Sequence, residues 1–83
     1  MNKVKIYTTP SCPYCVAAKR LLGQKKVSFQ EIDVSKGNDF EDLIAKTGMK
    51  TVPQIFIGDE LIGGYQELSA LEAEGQLDQK LFA

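Results

Sequence analysis

The chain has 83 residues, 43% of them hydrophobic, with ten basic and eleven acidic side chains and a net charge of -1. That is one small domain, expected over residues 1–83, near the size at which a chain buries enough apolar surface to fold alone. The charges are scattered, which leaves no electrostatic footprint for nucleic acid or an anionic membrane.

The opening "MNKVKIYTTP" lacks the apolar core and small-residue cleavage site of a signal peptide, and no window approaches the roughly 20 apolar residues of a bilayer span. A cytoplasmic address is expected. Within that stretch, "VKIYT" (4–8) alternates apolar and polar residues and predicts a short strand. Pro10 to Pro13 punctuate a turn, and Pro13 suits the first turn of a helix, where its missing N–H costs nothing. "YCVAAKRLLGQK" carries that helix on, with Cys15, Val16, Ala18, Leu21 and Leu22 at helical spacing and Gly23 as a stop signal. Lys19 and Arg20 fall on its exposed face.

"VSFQEIDV" (27–34) predicts a second strand with Val27, Phe29, Ile32 and Val34 inward, although the phase slips once around Glu31. "SKGND" is a turn with Asn38 or Asp39 as a cap. "FEDLIAKTG" then puts Phe40, Leu43 and Ile44 on one helical face before Gly48 closes it. Glu31, Asp33, Glu41 and Asp42 read as solvated charges. "PQIFI" is a third strand, Gly58 and Asp59 a hairpin turn, and "ELIGG" a fourth strand. The tail "YQELSALEAEGQLDQKLFA" offers Leu68, Leu71 and Leu77 for burial. The order is βαβαββα, an α/β sheet domain without repeats or linkers.

Both cysteines lie in "SCPYC", two residues apart at a strand-to-helix junction. A closed zinc site wants four nitrogen or sulfur ligands, and the chain has two thiols and no histidine, so a metal would have to be shared between chains. A structural disulfide closing about four residues would contribute roughly 2 kcal/mol by the loop-length relation, a weak reason to keep both thiols. The redox reading has a positive mechanism. At a helix N-terminus, unsatisfied N–H groups and the macrodipole favour the Cys12 thiolate, the nucleophilic form. Cys15, one turn on, can attack a mixed disulfide at Cys12. Redox chemistry is favoured, with shared metal and structural bridge left as alternatives.

"CPYC" after a short strand, "TVPQIFI" (51–57) and "GGYQEL" (63–68), in that order and spacing, resemble a dithiol glutaredoxin of the small bacterial type. The resemblance covers nearly the whole chain. It implies a thioredoxin-like fold, a four-stranded mixed sheet flanked by three or four helices. It also implies a glutathione-dependent oxidoreductase that reduces protein disulfides and glutathionyl mixed disulfides, with Cys12 as nucleophile and Cys15 as resolving thiol. The resemblance further implies a cis Val52-Pro53 bond opposite the active-site cysteine. The backbone N–H and C=O of Val52 would then be free to pair with the cysteinyl unit of a disulfide substrate, as in strand addition.

Gly63 and Gly64 by themselves read as a turn, yet they also permit close approach of a ligand to the backbone before a helix N-terminus. The resemblance makes this the dock for the γ-glutamyl carboxylate of glutathione, with Gly64, Tyr65 and Gln66 in contact. Tyr14, between the thiols with Pro13, would line the same groove beside Thr51. The family's small or cysteine residue and the acidic or hydroxyl residues after it are replaced here by Tyr65, Gln66 and Glu67. Thr9 stands where many members carry a cation before the first cysteine. Phe40 replaces a basic or amide contact to the glycine carboxylate of glutathione, leaving Lys50 as the nearby cation nominated for it. Glutathione is the expected reducing co-substrate, no metal is expected, and a monomer acting on disulfide-containing or glutathionylated proteins is the default. The runner-up is an iron-sulfur cluster shared between two chains through Cys12 and glutathione, which the rigid Pro13 disfavours.

Overall fold

The computed structural model describes residues 2–82. Strands β1 (Val4–Thr8), β2 (Gln30–Asp33), β3 (Gln54–Ile57) and β4 (Glu60–Gly63) form one sheet in the order β2-β1-β3-β4. Helix α1 (Pro13–Gln24) links β1 to β2, α2 (Asp39–Thr47) links β2 to β3, and α3 (Tyr65–Ala73) and α4 (Leu77–Phe82) follow β4. β1 pairs parallel with β2, as the α1 crossover requires, and antiparallel with β3, which runs antiparallel to β4 through the Gly58 and Asp59 hairpin. The mixed sheet and its helices have the thioredoxin-like arrangement that the resemblance implies. Among the described residues no helix is long and apolar enough to cross a membrane.

Alternation along the strands divides the two faces of the sheet. Val4 and Ile6 of β1 and Ile55 and Ile57 of β3 meet Ala18 and Leu22 of α1, Leu68 of α3, and Leu77 and Leu81 of α4 in one buried core. The opposite face carries Lys5, Tyr7 and Phe56, and α2 borders it through Leu43 and Lys46. Tyr7 and Phe56 meet edge to face at 5.7 Å, and the Lys46 ammonium lies 5.8 Å from the Phe56 ring centroid. Lys25, just past α1, pairs with Glu72 and Asp78 at 2.7 and 2.9 Å and ties the end of that helix to α3 and α4.

Several details differ from the sequence reading. Strand β2 spans four residues, not eight. Val27 and Phe29 pack into the α1-side core, whereas Ile32 and Val34 line a cavity with Leu43 on the α2 side. The apparent phase slip at Glu31 is therefore a segment that buries apolar residues on both faces in turn. Glu31 is not a plain solvated charge: it accepts from the buried Thr8 hydroxyl at 2.8 Å and pairs with Lys19 at 2.9 Å. These contacts hold its carboxyl below the ordinary value of 4.5, the Lys19 hydrogen bond contributing most and the Thr8 hydroxyl next. Lys19 accordingly leaves the free outer face of α1, while Arg20 stays exposed.

Val16 is exposed, because the buried stripe of α1 runs through Cys15, Ala18 and Leu22 and leaves Val16 about a quarter-turn away. Gly23 does not stop α1, which continues to Gln24, and the left-handed residue is Lys26 at φ 58°. Asn38 is the N-cap of α2, but its side chain makes no capping hydrogen bond. Gly48 does close α2 in the left-handed conformation at φ 78°, as expected.

Candidate active site

The end of β1 delivers the chain to the N-terminus of α1, where Cys12 is the N-cap in extended conformation and Pro13 opens the helix. Cys12 Sγ accepts the Cys15 backbone N–H at 3.0 Å, so one of the orphan donors of the helix end points at the sulfur. Cys12 and Cys15 are joined as a disulfide with their Cα atoms 5.2 Å apart. Cys15 is 2% exposed and Cys12 9%, so Cys12 is the less buried of the two, although neither is among the residues that line the neighbouring cleft. Among the described residues no three His, Cys, Asp or Glu side chains are gathered to hold a metal ion.

A second segment reaches Cys12 from forty residues along the chain. The Val52-Pro53 peptide bond is cis, and the Val52 carbonyl oxygen lies 3.6 Å from Cys12 Sγ. Val52 thus places its main chain against the Cys12 sulfur immediately before β3. The loop ahead of it, 48–53, is anchored by side chains rather than by a strand ladder. Gln54 bonds to Met49 and Thr51, and the Thr47 hydroxyl bonds to Gln54.

The third segment is the junction of β4 and α3. Gly63 has φ 120°, and a Cβ on it would lie 2.8 Å from Glu67 Oε1 and 2.9 Å from Glu67 Cγ. The first glycine is thus favoured mainly by its positive φ, with the flexible Glu67 side chain crowding the same spot. A Cβ on Gly64 would meet the Pro53 carbonyl oxygen at 3.5 Å, so this junction closes directly on the cis-proline loop. Glu67 folds back to accept the Gly64 N–H at 2.6 Å, one half of a capping box. Leu68, fully buried, fixes α3 to the core.

Between the three segments lies a cleft of about 390 Å³. Tyr14, Thr51, Val52, Pro53, Gly64, Tyr65 and Gln66, each singled out from the sequence, line it together. Tyr14 is 60% exposed and stacks on Tyr65 with ring centroids 6.3 Å apart and planes at 28°, forming one aromatic wall. Pro13 lies outside the lining, as does Lys50, which is exposed between the lining residues Met49 and Thr51. Phe40 sits on α2, half-buried and away from the cleft lining. Met49, not singled out, and Glu67, named at the dock but not among its expected contacts, also line the cleft. For Glu67 a signal existed, since an acidic residue three positions after a helix N-cap is the capping-box pattern.

The family model for glutaredoxin matches residues 4–62. Glutaredoxin 3 of Escherichia coli strain K12 is 51% identical over 83 residues, covering 98% of this chain and 99% of that one. The solution structure of glutaredoxin from Brucella melitensis superposes with a TM-score of 0.87 at 48% identity, covering 98% of this chain and 89% of that one. The crystal structure of a buckwheat glutaredoxin–glutathione complex gives a TM-score of 0.88 at 30% identity, covering 96% and 76%. With a C-x-x-C dithiol at a helix N-terminus and a cleft beside it, the chain belongs to the glutaredoxin family of glutathione-linked thiol–disulfide oxidoreductases.

Proposed function

We propose that this chain works as one domain over residues 1–83, a cytoplasmic monomer, with glutathione as its reducing co-substrate and without a metal. The observation that carries the reading is Cys12, the less buried of the two thiols, held at the α1 N-terminus 3.6 Å from the carbonyl oxygen of Val52, a residue that lines the cleft. The Cys12 thiolate attacks the glutathionyl sulfur of a protein mixed disulfide. The Cys12–glutathione disulfide forms, and the protein thiolate leaves and takes a proton from water. A second glutathione thiolate attacks the bound glutathionyl sulfur, releasing oxidised glutathione and restoring Cys12.

On a protein disulfide, Cys12 instead forms a mixed disulfide with the client. The Cys15 thiolate then attacks Cys12 Sγ and releases the reduced client. The resulting Cys12–Cys15 disulfide is the pairing the structure holds, and two glutathiones reduce it. Glutathione would lie in the cleft with its cysteinyl backbone against Val52 and its γ-glutamyl carboxylate at the Gly64, Tyr65 and Gln66 backbone. The rings of Tyr14 and Tyr65 would stand along it, with Pro13 and Lys50 at the rim. The clients are disulfide-containing or glutathionylated proteins.

The asymmetry between the thiols is the test. Cys12→Ser should abolish turnover of both substrate classes. Cys15→Ser should keep deglutathionylation of a small mixed disulfide and lose protein disulfide reduction. Equal loss of deglutathionylation in the two variants would contradict these roles.

A further inference from the structure

Gln54 opens β3 with its side chain fully buried, and no step of the thiol exchange uses it. A primary amide in that position is costly unless bonded, and an apolar side chain would fill the space without that cost. All three of its hydrogen bonds go to the segment just before the cis-proline. Gln54 Nε2 donates to the Met49 carbonyl at 2.9 Å and to the Thr51 carbonyl at 3.1 Å, and Gln54 Oε1 accepts from the Thr47 hydroxyl at 2.8 Å. The amide orientation follows from the partners, since a flipped group would turn its oxygen toward two carbonyls.

The Thr51 carbonyl and the Val52 N–H belong to one peptide unit, which is trans, because the cis bond is the next one along. In a trans unit the two groups point to opposite sides. By gripping the Thr51 oxygen from the buried side, Gln54 turns the Val52 N–H away from itself, toward the cleft that Thr51 and Val52 line. Among the described residues Val52 N–H donates to no protein acceptor. Donation onto the Thr51 oxygen also polarises the unit and strengthens that N–H as a donor.

We infer that Gln54 is a positioning residue for substrate docking: through Thr51 it aims the Val52 N–H at the backbone carbonyl of a cysteinyl substrate. This rests on the reading of the cleft as a glutathione site. Thr47 is its auxiliary, fixing the amide oxygen from the last turn of α2.

The test compares two disulfides against the pre-reduced protein: oxidised glutathione, which carries a peptide backbone, and 5,5′-dithiobis(2-nitrobenzoate), which does not. Gln54→Leu should slow the second-order reaction with oxidised glutathione about tenfold and Thr47→Val about threefold, corresponding to roughly one hydrogen bond or part of one. Thr47→Ser, which keeps the hydroxyl, should react at the native rate, and neither slowed variant should lose comparable rate with the aromatic disulfide. Equal losses on both reagents, or no loss on oxidised glutathione, would overturn the assignment. Should Gln54→Leu fail to fold, Thr47→Val decides by the same criterion.

Amide NMR of the Cys15→Ser protein carrying glutathione on Cys12 separates the two levels of the argument. An unmoved Val52 N–H signal in that protein defeats the reading of the cleft and the role of Gln54 with it. A shift that persists undiminished when Gln54→Leu is added defeats the role of Gln54 alone.

Discussion

The two halves of the site are built by different means. The thiol half, residues 12–15, is held by one turn of helix: an N-cap sulfur, a proline at the first helical position and an N–H donated across three residues. The other half, which docks the substrate in the proposed function, gathers the 48–53 loop and the β4–α3 junction, whose own hydrogen bonds come from buried or folded-back side chains, Gln54, Thr47 and Glu67. The first is cheap in chain entropy because its partners are sequence neighbours. The second exists only once the sheet has brought distant segments together. On the proposed function, reactivity is thus local in this protein and recognition depends on the fold.

That contrast can be broken from the docking side. Leu68→Ala, at a fully buried position where α3 meets the core, should cost roughly 2–5 kcal/mol and loosen the β4–α3 junction. Chemical denaturation measures the loss, and a destabilisation below about 1 kcal/mol would mean that α3 is anchored elsewhere. Gly63→Ala introduces a Cβ at φ 120° against the Glu67 side chain, so roughly 1–3 kcal/mol is expected by the same measurement. Glu67→Ala in the Gly63→Ala background should recover part of it, since it clears the crowding and leaves the dihedral.

Tyr65→Leu removes the ring stacked on Tyr14 and should weaken the docking of a glutathionyl substrate by about 1 kcal/mol, seen as a raised KM with kcat nearly kept. A fall in kcat alone would place Tyr65 in the thiol half instead.

The smallest expected effect probes the thiol half from behind. The Glu31 carboxyl is held below its ordinary 4.5 by Lys19 and Thr8, so the ionised form is favoured in the folded state. A group depressed on folding contributes stability above its unfolded value and loses it as pH falls through the folded one. The contribution should therefore be complete above about pH 5 and fade below 4.5. Because the pair is partly exposed and screened, it should be worth less than about 1 kcal/mol. Glu31→Gln should flatten this part of the stability–pH curve, and an unchanged acid limb would show that the contact contributes nothing.

How far each half could be read in the sequence follows the same division. "CPYC" after a period-two strand was legible because helix entry, proline placement and thiol spacing are all short-range. The Gly48 stop and the Gly58 hairpin were legible for the same reason. Val16, Glu31 and the two-faced segment 27–34 were misread, because periodicity shows which residues share a face but not what stands opposite. Glu31 looked solvated until the fold set Thr8 and Lys19 beside it.

By itself, then, the sequence determined the order of strands and helices as far as α3 and the place of a C-x-x-C thiol pair at a helix N-terminus, whereas the break that sets α4 apart from α3 was not read. Tertiary structure alone decided that Val52 stands 3.6 Å from Cys12, that Tyr65 stacks on Tyr14, and that a buried glutamine orients the loop between α2 and β3. Contacts within a helical turn are dictated by residue type and spacing. Contacts across forty residues require the sheet register, which the whole core sets at once.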